Sequence, residues 1–467
     1  MKKKVSIKST PILIVFILLI ALCVIGGIRL SENIAENRRW ESYPLQWADR
    51  GFAQTVAGAL GKDLSEITED TLASITFIEF FNTGRTITLY EDIFEWEDRR
   101  LSHVNRYRNR GEQPIQSWDD LAFFTSLRGI EIEEEDNLSS YPSLKKVFSM
   151  NIDLYVTSRI TSIYELNIIR DYPNVRALRL GVSLLREIGE NNEQEYLERV
   201  LEGFPRLIEL HVEGVHCINF VASLCGTSDL RTLLVEFNRD ISPSTVIDLS
   251  PVSNITTLRV FVIRTGTSVM PLSLQPLSRL SNLESLVIST EFMPTLDGIE
   301  NLHNLTRLVA ITCLLEDISA IRNLTNLVEL RLNGNLIQDI SALRYLENLR
   351  FIELSANEIV DFTPLANKPY LEELYIMGSH GELGNMITED QLLQILSTSP
   401  SLEWLVFSSE DNTRLDALVR EQFPQVYLSF KDLELAARAR AQHASEMEQA
   451  EINAQRTAES TMPEENQ

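Results

Sequence analysis

The chain has 467 residues, of which 44% are hydrophobic and 23% charged, and its formal net charge is −25. That acidity disfavours sequence-independent contact with a nucleic-acid backbone, so nucleic acid is not an expected partner. The length exceeds one ordinary globular core, a limit that stacked repeats escape because each packs only on its neighbours.

Residues 1–10 form a basic segment, and from Pro11 to Ile28 every residue is uncharged and most are aliphatic. A helix of that length spans about 27 Å, close to the hydrocarbon thickness of a bilayer. The expectation is a single-pass signal-anchor helix over 11–29. Lys2, Lys3, Lys4 and Lys8 would stay in the cytoplasm and the rest of the chain outside the cell. Secretion after signal cleavage is the alternative, although the apolar run is long for a signal peptide and no clear A-x-A site follows. "IALC" puts Leu22 where a lipoprotein signal has a small residue, which argues against acylation at Cys23.

A linker over 30–48 leads to residues 49–80, read as an amphipathic helix with Phe52, Val56, Ala59 and Leu60 on one face, then a turn into a first strand opening at Ile75 (ITFIEF). Residues 81–126 are an insertion and the approach to a second repeat. Within it, Glu91, Asp92, Glu95, Glu97 and Asp98 precede Arg99, Arg100, Arg106, Arg108 and Arg110, which reads as a self-neutralised, solvated helix pair. The alternative is a partner-binding flap, since insertions in repeat arrays fall in loops, often on a binding face. Between Gly84 and Gly111 nothing pairs a nucleophile with a base.

Further strand openings stand at Leu127 (LRGIEI), Leu144 (LKKVFS), Val175 (VRALRL), Leu207 (LIELHV), Leu230 (LRTLLV) and Ile255 (ITTLRV). The acidic run from Glu131 to Asn137 reads as a solvated strand end rather than a calcium loop. In "HVEGVHC", strand alternation puts His211 and Glu213 on one face, but sends Cys217 to the core, so three metal ligands including His216 are not assured. No metal and no cofactor are expected. Cys217 and Cys225 are two core thiols or, in an oxidising compartment, a disulfide.

From Leu283 the spacing becomes regular. Leu283, Leu305, Leu327, Leu349 and Leu371 follow one another at 22 residues, opening LESLVI, LTRLVA, LVELRL, LRFIEL and LEELYI. A fixed period of this length means a solenoid. After it, Thr388 is a candidate N-cap with Glu389 and Asp390 in the first turn, Leu402 opens LEWLVF, and Val426, Leu428 and Phe430 alternate as a last strand would. Residues 431–467 form a helical, then acidic and disordered tail.

The repeats from Leu327 and Leu349 resemble the leucine-rich repeat, L-x-x-L-x-L-x-x-N-x-I-x-D-I-x-x-L, in the short form of bacterial internalin-like proteins. Asn335 and Asn357 fill the asparagine site, Asp339 and Asp361 the aspartate site, and Cys313 sits eight residues after Leu305 at the position of the asparagines. The resemblance implies an α/β solenoid over 127–430, with a curved parallel sheet on its concave side, short helices or 3-10 turns on its convex side, and an N-terminal cap over 49–80. It also implies that Asn335, Asn357 and Cys313 form an internal ladder, with the amides bonding the backbone where the chain leaves each strand. Unbonded, such buried amides would be costly.

Residues two, four and six places after each opening leucine face the concave side. From the Ile255 turn onward they include Arg259, Phe261, Val287, Val309, Ile311, Arg331, Phe351, Tyr375, Met377, Trp404 and Val406. An apolar, aromatic and arginine-bearing row of this kind marks a partner surface. P-loop, G-x-S-x-G, H-E-x-x-H and EF-hand patterns are absent. The expected function is therefore non-catalytic: a membrane-anchored, extracytoplasmic protein that binds a protein or glycan ligand. The resemblance implies adhesion or recognition at a bacterial surface, although no L-P-x-T-G sorting motif is present. The alternative is an envelope scaffold or sensor subunit that pairs with another membrane protein.

Overall fold

The computed structural model describes residues 40–81, 86–90, 107–110, 115–132, 138, 141, 143–170, 172–181, 183–184, 203–214, 229–237, 247–265, 272–378, 384–407 and 412–428. The expected anchor over 11–29, Cys23, the charged cluster from Glu91 to Arg106, Cys217, Cys225 and the tail over 431–467 lie outside them. Among the described residues no helix is long and apolar enough to cross a membrane. The chain divides into two compact units, Met1–Arg179 and Leu180–Gln467.

The first unit opens with α1 (Arg50–Leu60), which buries Phe52, Ala53, Val56 and Ala59. One carboxylate oxygen of Asp49 caps the helix by accepting from Phe52 N at 3.0 Å, and the other accepts from the backbone N–H of Gln116. Asp120 returns the contact, accepting from Ala48 N at 2.6 Å and Asp49 N at 2.7 Å. Two aspartates thus tie the helix start, with its unsatisfied N–H groups, to the turn after the insertion. α2 (Glu69–Leu72) leads into β1 (Phe77–Phe81).

The remaining strands of this unit are β2 (Thr86–Tyr90), β3 (Tyr107–Arg110), β4 (Gly129–Ile132), β5 (Asp153–Ile160) and β6 (Val175–Leu180), in the order β6-β5-β4-β1-β2-β3. β1 pairs parallel with β4 and β4 with β5, whereas β1–β2 and β2–β3 are antiparallel. The expected helix pair is therefore corrected at its end, because Arg108 and Arg110 lie on β3. "TITLY" is rich in β-branched residues, alternates threonine with aliphatic side chains and is buried at every position. α1 packs on β2 and β3, and cap and hairpin form one body.

The Leu144 opening is also corrected. Lys145–Ser149 is a helix, α3, and the next strand aligns Leu154 with Ile130. Leu144 and Val147, three apart, satisfy a helical period as well as the repeat. A fourth helix, α4 (Ile163–Ile169), precedes β6.

In the second unit β7 (Glu209–Glu213), β8 (Thr232–Phe237), β9 (Val260–Thr265), β10 (Ser285–Ser289), β11 (Arg307–Ala310), β12 (Glu329–Arg331), β13 (Phe351–Glu353), β14 (Glu373–Ile376) and β15 (Trp404–Phe407) pair in chain order. From β7 to β15 every pairing among the described residues is parallel, with Leu286, Leu308, Leu330, Ile352, Leu374 and Leu405 in register. All six are fully buried. Between strands the chain returns through 3-10 turns such as Ser341–Tyr345, and after β14 through α5 (Glu389–Thr398), whose N-cap is Thr388 as expected. α6 (Asn412–Gln422) follows β15, and beyond it, among the described residues, Tyr427 bridges to Trp404; Phe430, the end of the expected last strand, lies outside them.

One register differs from expectation. Pairing sets Phe261 beside Leu286, so the coil opens at Leu258 and not at Ile255. The coils opening at Leu283, Leu305, Leu327 and Leu349 also carry a buried leucine three places earlier, as Leu280 precedes Leu283, and Ile255 fills that role before Leu258. With Val260, Phe261, Val262 and Ile263 all apolar, both frames fit the pattern.

The ladder is present. Asn335 Oδ1 accepts from Cys313 N at 2.8 Å and Leu315 N at 3.1 Å, while its Nδ2 donates to Ala310 O at 2.8 Å and Leu332 O at 2.9 Å. Asn357 accepts from Ile337 N at 3.1 Å and also donates to Leu332 O, at 2.9 Å. The Cys313 thiol lies 3.3 Å from Ile311 O, and burial pushes its pKa up, against a hydrogen bond with the Thr290 backbone. Asn385 is a further rung, accepting from Ile359 N at 3.0 Å and donating to Leu354 O at 2.7 Å.

Close stacking also constrains Gly298, where φ is +113° and a Cβ would stand 2.5 Å from Gln275 N and Leu274 C. Gly298→Ala is expected to lower the unfolding free energy by about 2 kcal/mol or more, read by urea denaturation. An unchanged midpoint would show that the Leu274–Gln275 turn yields freely.

Candidate functional site

The strand residues between the buried ones present a continuous face over β9–β15. Its first column runs Val260, Ser285, Arg307, Glu329, Phe351, Glu373, Trp404, and its second Val262, Val287, Val309, Arg331, Glu353, Tyr375, Val406. Parallel pairing holds each column at the ~4.8 Å strand spacing, so side chains two strands apart are within reach of a long or aromatic neighbour.

At the centre lies an ion-pair network. Glu329 takes Arg307 Nε at 2.8 Å and Arg331 Nε at 2.6 Å, and Arg331 also reaches Glu353 at 3.8 Å. The Arg331 guanidinium sits 4.1 Å from the Phe351 ring centroid. Phe351 in turn lies 5.4 Å from the Tyr375 ring, whose hydroxyl donates to Glu373 at 2.9 Å. Partial burial alone would raise the Glu329 carboxyl, but hydrogen bonds from Arg331 and Arg307 and their charges outweigh it and hold the pKa below the ordinary value. Burial raises Glu353, with Arg331 opposing. Burial and the bond to Glu373 push Tyr375 far up, so its hydroxyl stays a donor at physiological pH.

Of the residues expected on this face, Val287, Val309, Ile311, Arg331, Phe351, Tyr375, Met377, Trp404 and Val406 are on it. Arg331, Phe351 and Tyr375 are part-exposed, as are Val287, Ile311 and Val406, and Met377 is 49% exposed. Two positions differ from expectation. Phe261 is in the core and Arg259 falls beside the strand, where it pairs with Glu284 at 3.5 Å; both follow from the opening at Leu258. Trp404 and Val309 face outward but are only 6% and 5% exposed, so they support the surface more than they offer it.

Arg307, Glu329, Glu353 and Glu373 occupy the same offsets and extend the expected row. The three glutamates are neither apolar, aromatic nor arginine, whereas Arg307, two places after Leu305, was readable from its position. Missed outright were Phe292, Leu314 and Leu336, 37–45% exposed where successive coils leave their strands. Their 22-residue spacing is the available signal. At the opposite, strand-opening side, Asn282, Asn304, Asn326 and Asn348 each donate to a carbonyl of the preceding coil at 2.8–2.9 Å. They line a shallow groove with Glu284, Thr306, Arg350 and Tyr370.

His211 and Glu213, expected to share a face, do so, and Glu236 of β8 joins them. His216 and Cys217 lie outside the described residues.

Stacked parallel coils with an amide ladder define a leucine-rich repeat solenoid. Residues 325–367 match the family model described as Leucine Rich repeats (2 copies). No curated protein sequence matches the chain. Among solved structures, an internalin (inlF) from Listeria monocytogenes is 18% identical with a TM-score of 0.39, over 79% of this chain and 83% of that one. A leucine-rich repeat protein from Leptospira interrogans is 16% identical with a TM-score of 0.40, over 67% and 92%. A plant peptide hormone receptor, solved in complex with RGF2, is 18% identical with a TM-score of 0.34, over 55% and 41%.

Proposed function

We propose that this protein recognises a protein ligand through the outward face of β11–β15, and that it performs no chemistry of its own. Leucine-rich repeats generally mediate protein binding. The observation that carries the reading is the cluster of Arg331, Phe351 and Tyr375, a cation over an aromatic ring beside a second ring, part-exposed and held in place by Glu329 and Glu373. Arginine and tyrosine on a rigid scaffold are frequent hot-spot residues, because little freedom is lost when a partner covers them. The apolar run Phe292, Leu314 and Leu336 extends the surface along one edge of the strands.

In this reading the apolar segment Pro11–Ile28 anchors the chain and the repeats stand outside the cell, in an adhesion or recognition role. Protease shaving of intact cells tests the topology: the repeats are expected to be lost, and their full protection would reject it. Capture of binding partners from envelope or host material tests the face. Arg331→Glu and Tyr375→Ala together are expected to reduce capture at least tenfold without loss of folding. Unchanged capture would reject this surface.

A further inference from the structure

We propose that His211, Glu213 and Glu236 form a binding site for a divalent transition-metal ion of the zinc type, on the outward face of β7 and β8. Nothing in the repeat architecture requires these three side chains to meet. His211 and Glu213 alternate on β7, and parallel pairing sets Glu236 directly beside Glu213. The imidazole Nε2 stands 3.4 Å from Glu236 Oε2 and 3.9 Å from Glu213 Oε1, and one ligand atom from each residue lies within 4.8 Å of the others.

Ligand atoms held at about 2.0–2.2 Å by a tetrahedral zinc ion stand about 3.4 Å apart. The His211–Glu236 separation already has that value. The His211–Glu213 separation closes to it with a shift of roughly half an ångström, within the reach of one carboxylate rotation.

The chemistry of the donors narrows the ion. One imidazole and two carboxylates suit zinc and its first-row neighbours, whereas calcium asks for six to eight oxygens. Glu213, at 5% exposure, offers the ion a carboxylate shielded from water. Glu236 is 38% exposed on its side chain, which gives the ion a path in and leaves a coordination position toward solvent. Arg264, opposite Glu236 on β9 and exposed, is the cation that would compete for that carboxylate.

The test uses the full chain, stripped with a chelator and titrated with Zn2+ by calorimetry and with Co2+ by visible absorption. One ion per chain is expected to be lost from the titration in His211→Ala, and affinity at that site to fall at least ~100-fold in Glu236→Gln. The half-exposed position of Glu236 keeps the second variant folded even if the first is not. Ligand-field bands without a thiolate-to-cobalt band support the nitrogen–oxygen set. No uptake, affinity unchanged in both variants, or a thiolate band overturns the assignment.

Discussion

Asn335→Ala is expected to cost the second unit about 3–5 kcal/mol and to broaden or split its unfolding transition. The side chain is 4% exposed and its amide ties its own coil to the preceding one through four hydrogen bonds. Removing it strands the Cys313 and Leu315 N–H groups and the Ala310 carbonyl, while the Leu332 carbonyl keeps Asn357 as a donor. Each buried polar group left unbonded costs about 1–3 kcal/mol. The three are close neighbours, so the losses add incompletely. In a solenoid each coil is held only by the next, and a weak coil lets one side of the stack melt before the other.

Asn348→Ala is the matched control. That asparagine is exposed and makes one bond, to Thr325 O at 2.9 Å, so its loss is expected to stay within about 1 kcal/mol. Urea denaturation followed by circular dichroism reads both. Equal midpoint shifts in the two variants would remove the ladder from the account of stability.

Much of this was legible because a 22-residue period puts chemically equal residues in equal places. Leu327, Leu349, Asn335 and Asn357 could be assigned by counting alone, and Thr388 by its capping chemistry before an acidic first turn. Counting fails where the period breaks. Asn385 is a ladder residue, yet it comes fourteen places after Leu371 instead of eight, and nothing local distinguishes it from a loop asparagine. Phe261 was misplaced because an unbroken apolar run satisfies two frames, and only pairing with β10 decides between them. The β2 strand hid for a different reason: Thr86 and Thr88 do alternate with Ile87 and Leu89, but five residues give a period of two little weight beside the long charged stretch that follows.

For the binding face the offsets were readable, but the environment was not. Trp404 occupies the right column, yet its 6% exposure depends on neighbours that no spacing rule supplies. Glu329 looked like an ordinary surface acid, whereas the structure places it between two guanidiniums, one of which, that of Arg331, lies over Phe351. The third member of the His211 cluster comes from a different strand, so "HVEGVHC" could show only two of the ligands.

Lys368 is the residue that breaks the pattern at greatest cost, and Lys368→Met is expected to stabilise the protein by about 2 kcal/mol at pH 7. Its place is that of Leu280, Leu302, Leu324 and Leu346, three before an opening leucine, and like them it is fully buried. The ammonium donates to Arg344 O at 3.1 Å. Burial lowers its pKa from 10.5 to about 8, with Glu347 opposing and Arg344 adding to the shift. A folded pKa below the unfolded one means that the unfolded chain binds the proton more tightly. Below pH 8 the penalty is complete, about 3 kcal/mol for such a shift, and it fades as the pH rises toward 10.5. Methionine keeps the unbranched shape and removes the charge, though it leaves the Arg344 carbonyl without this donor at a cost of about 1 kcal/mol. The stability gap between variant and parent should therefore be widest at or below pH 8 and shrink through pH 8–10.5. Denaturation midpoints at pH 7 and pH 10 decide the matter: a gap that is absent at pH 7, or that grows with pH, would mean the buried ammonium is not the source of the strain.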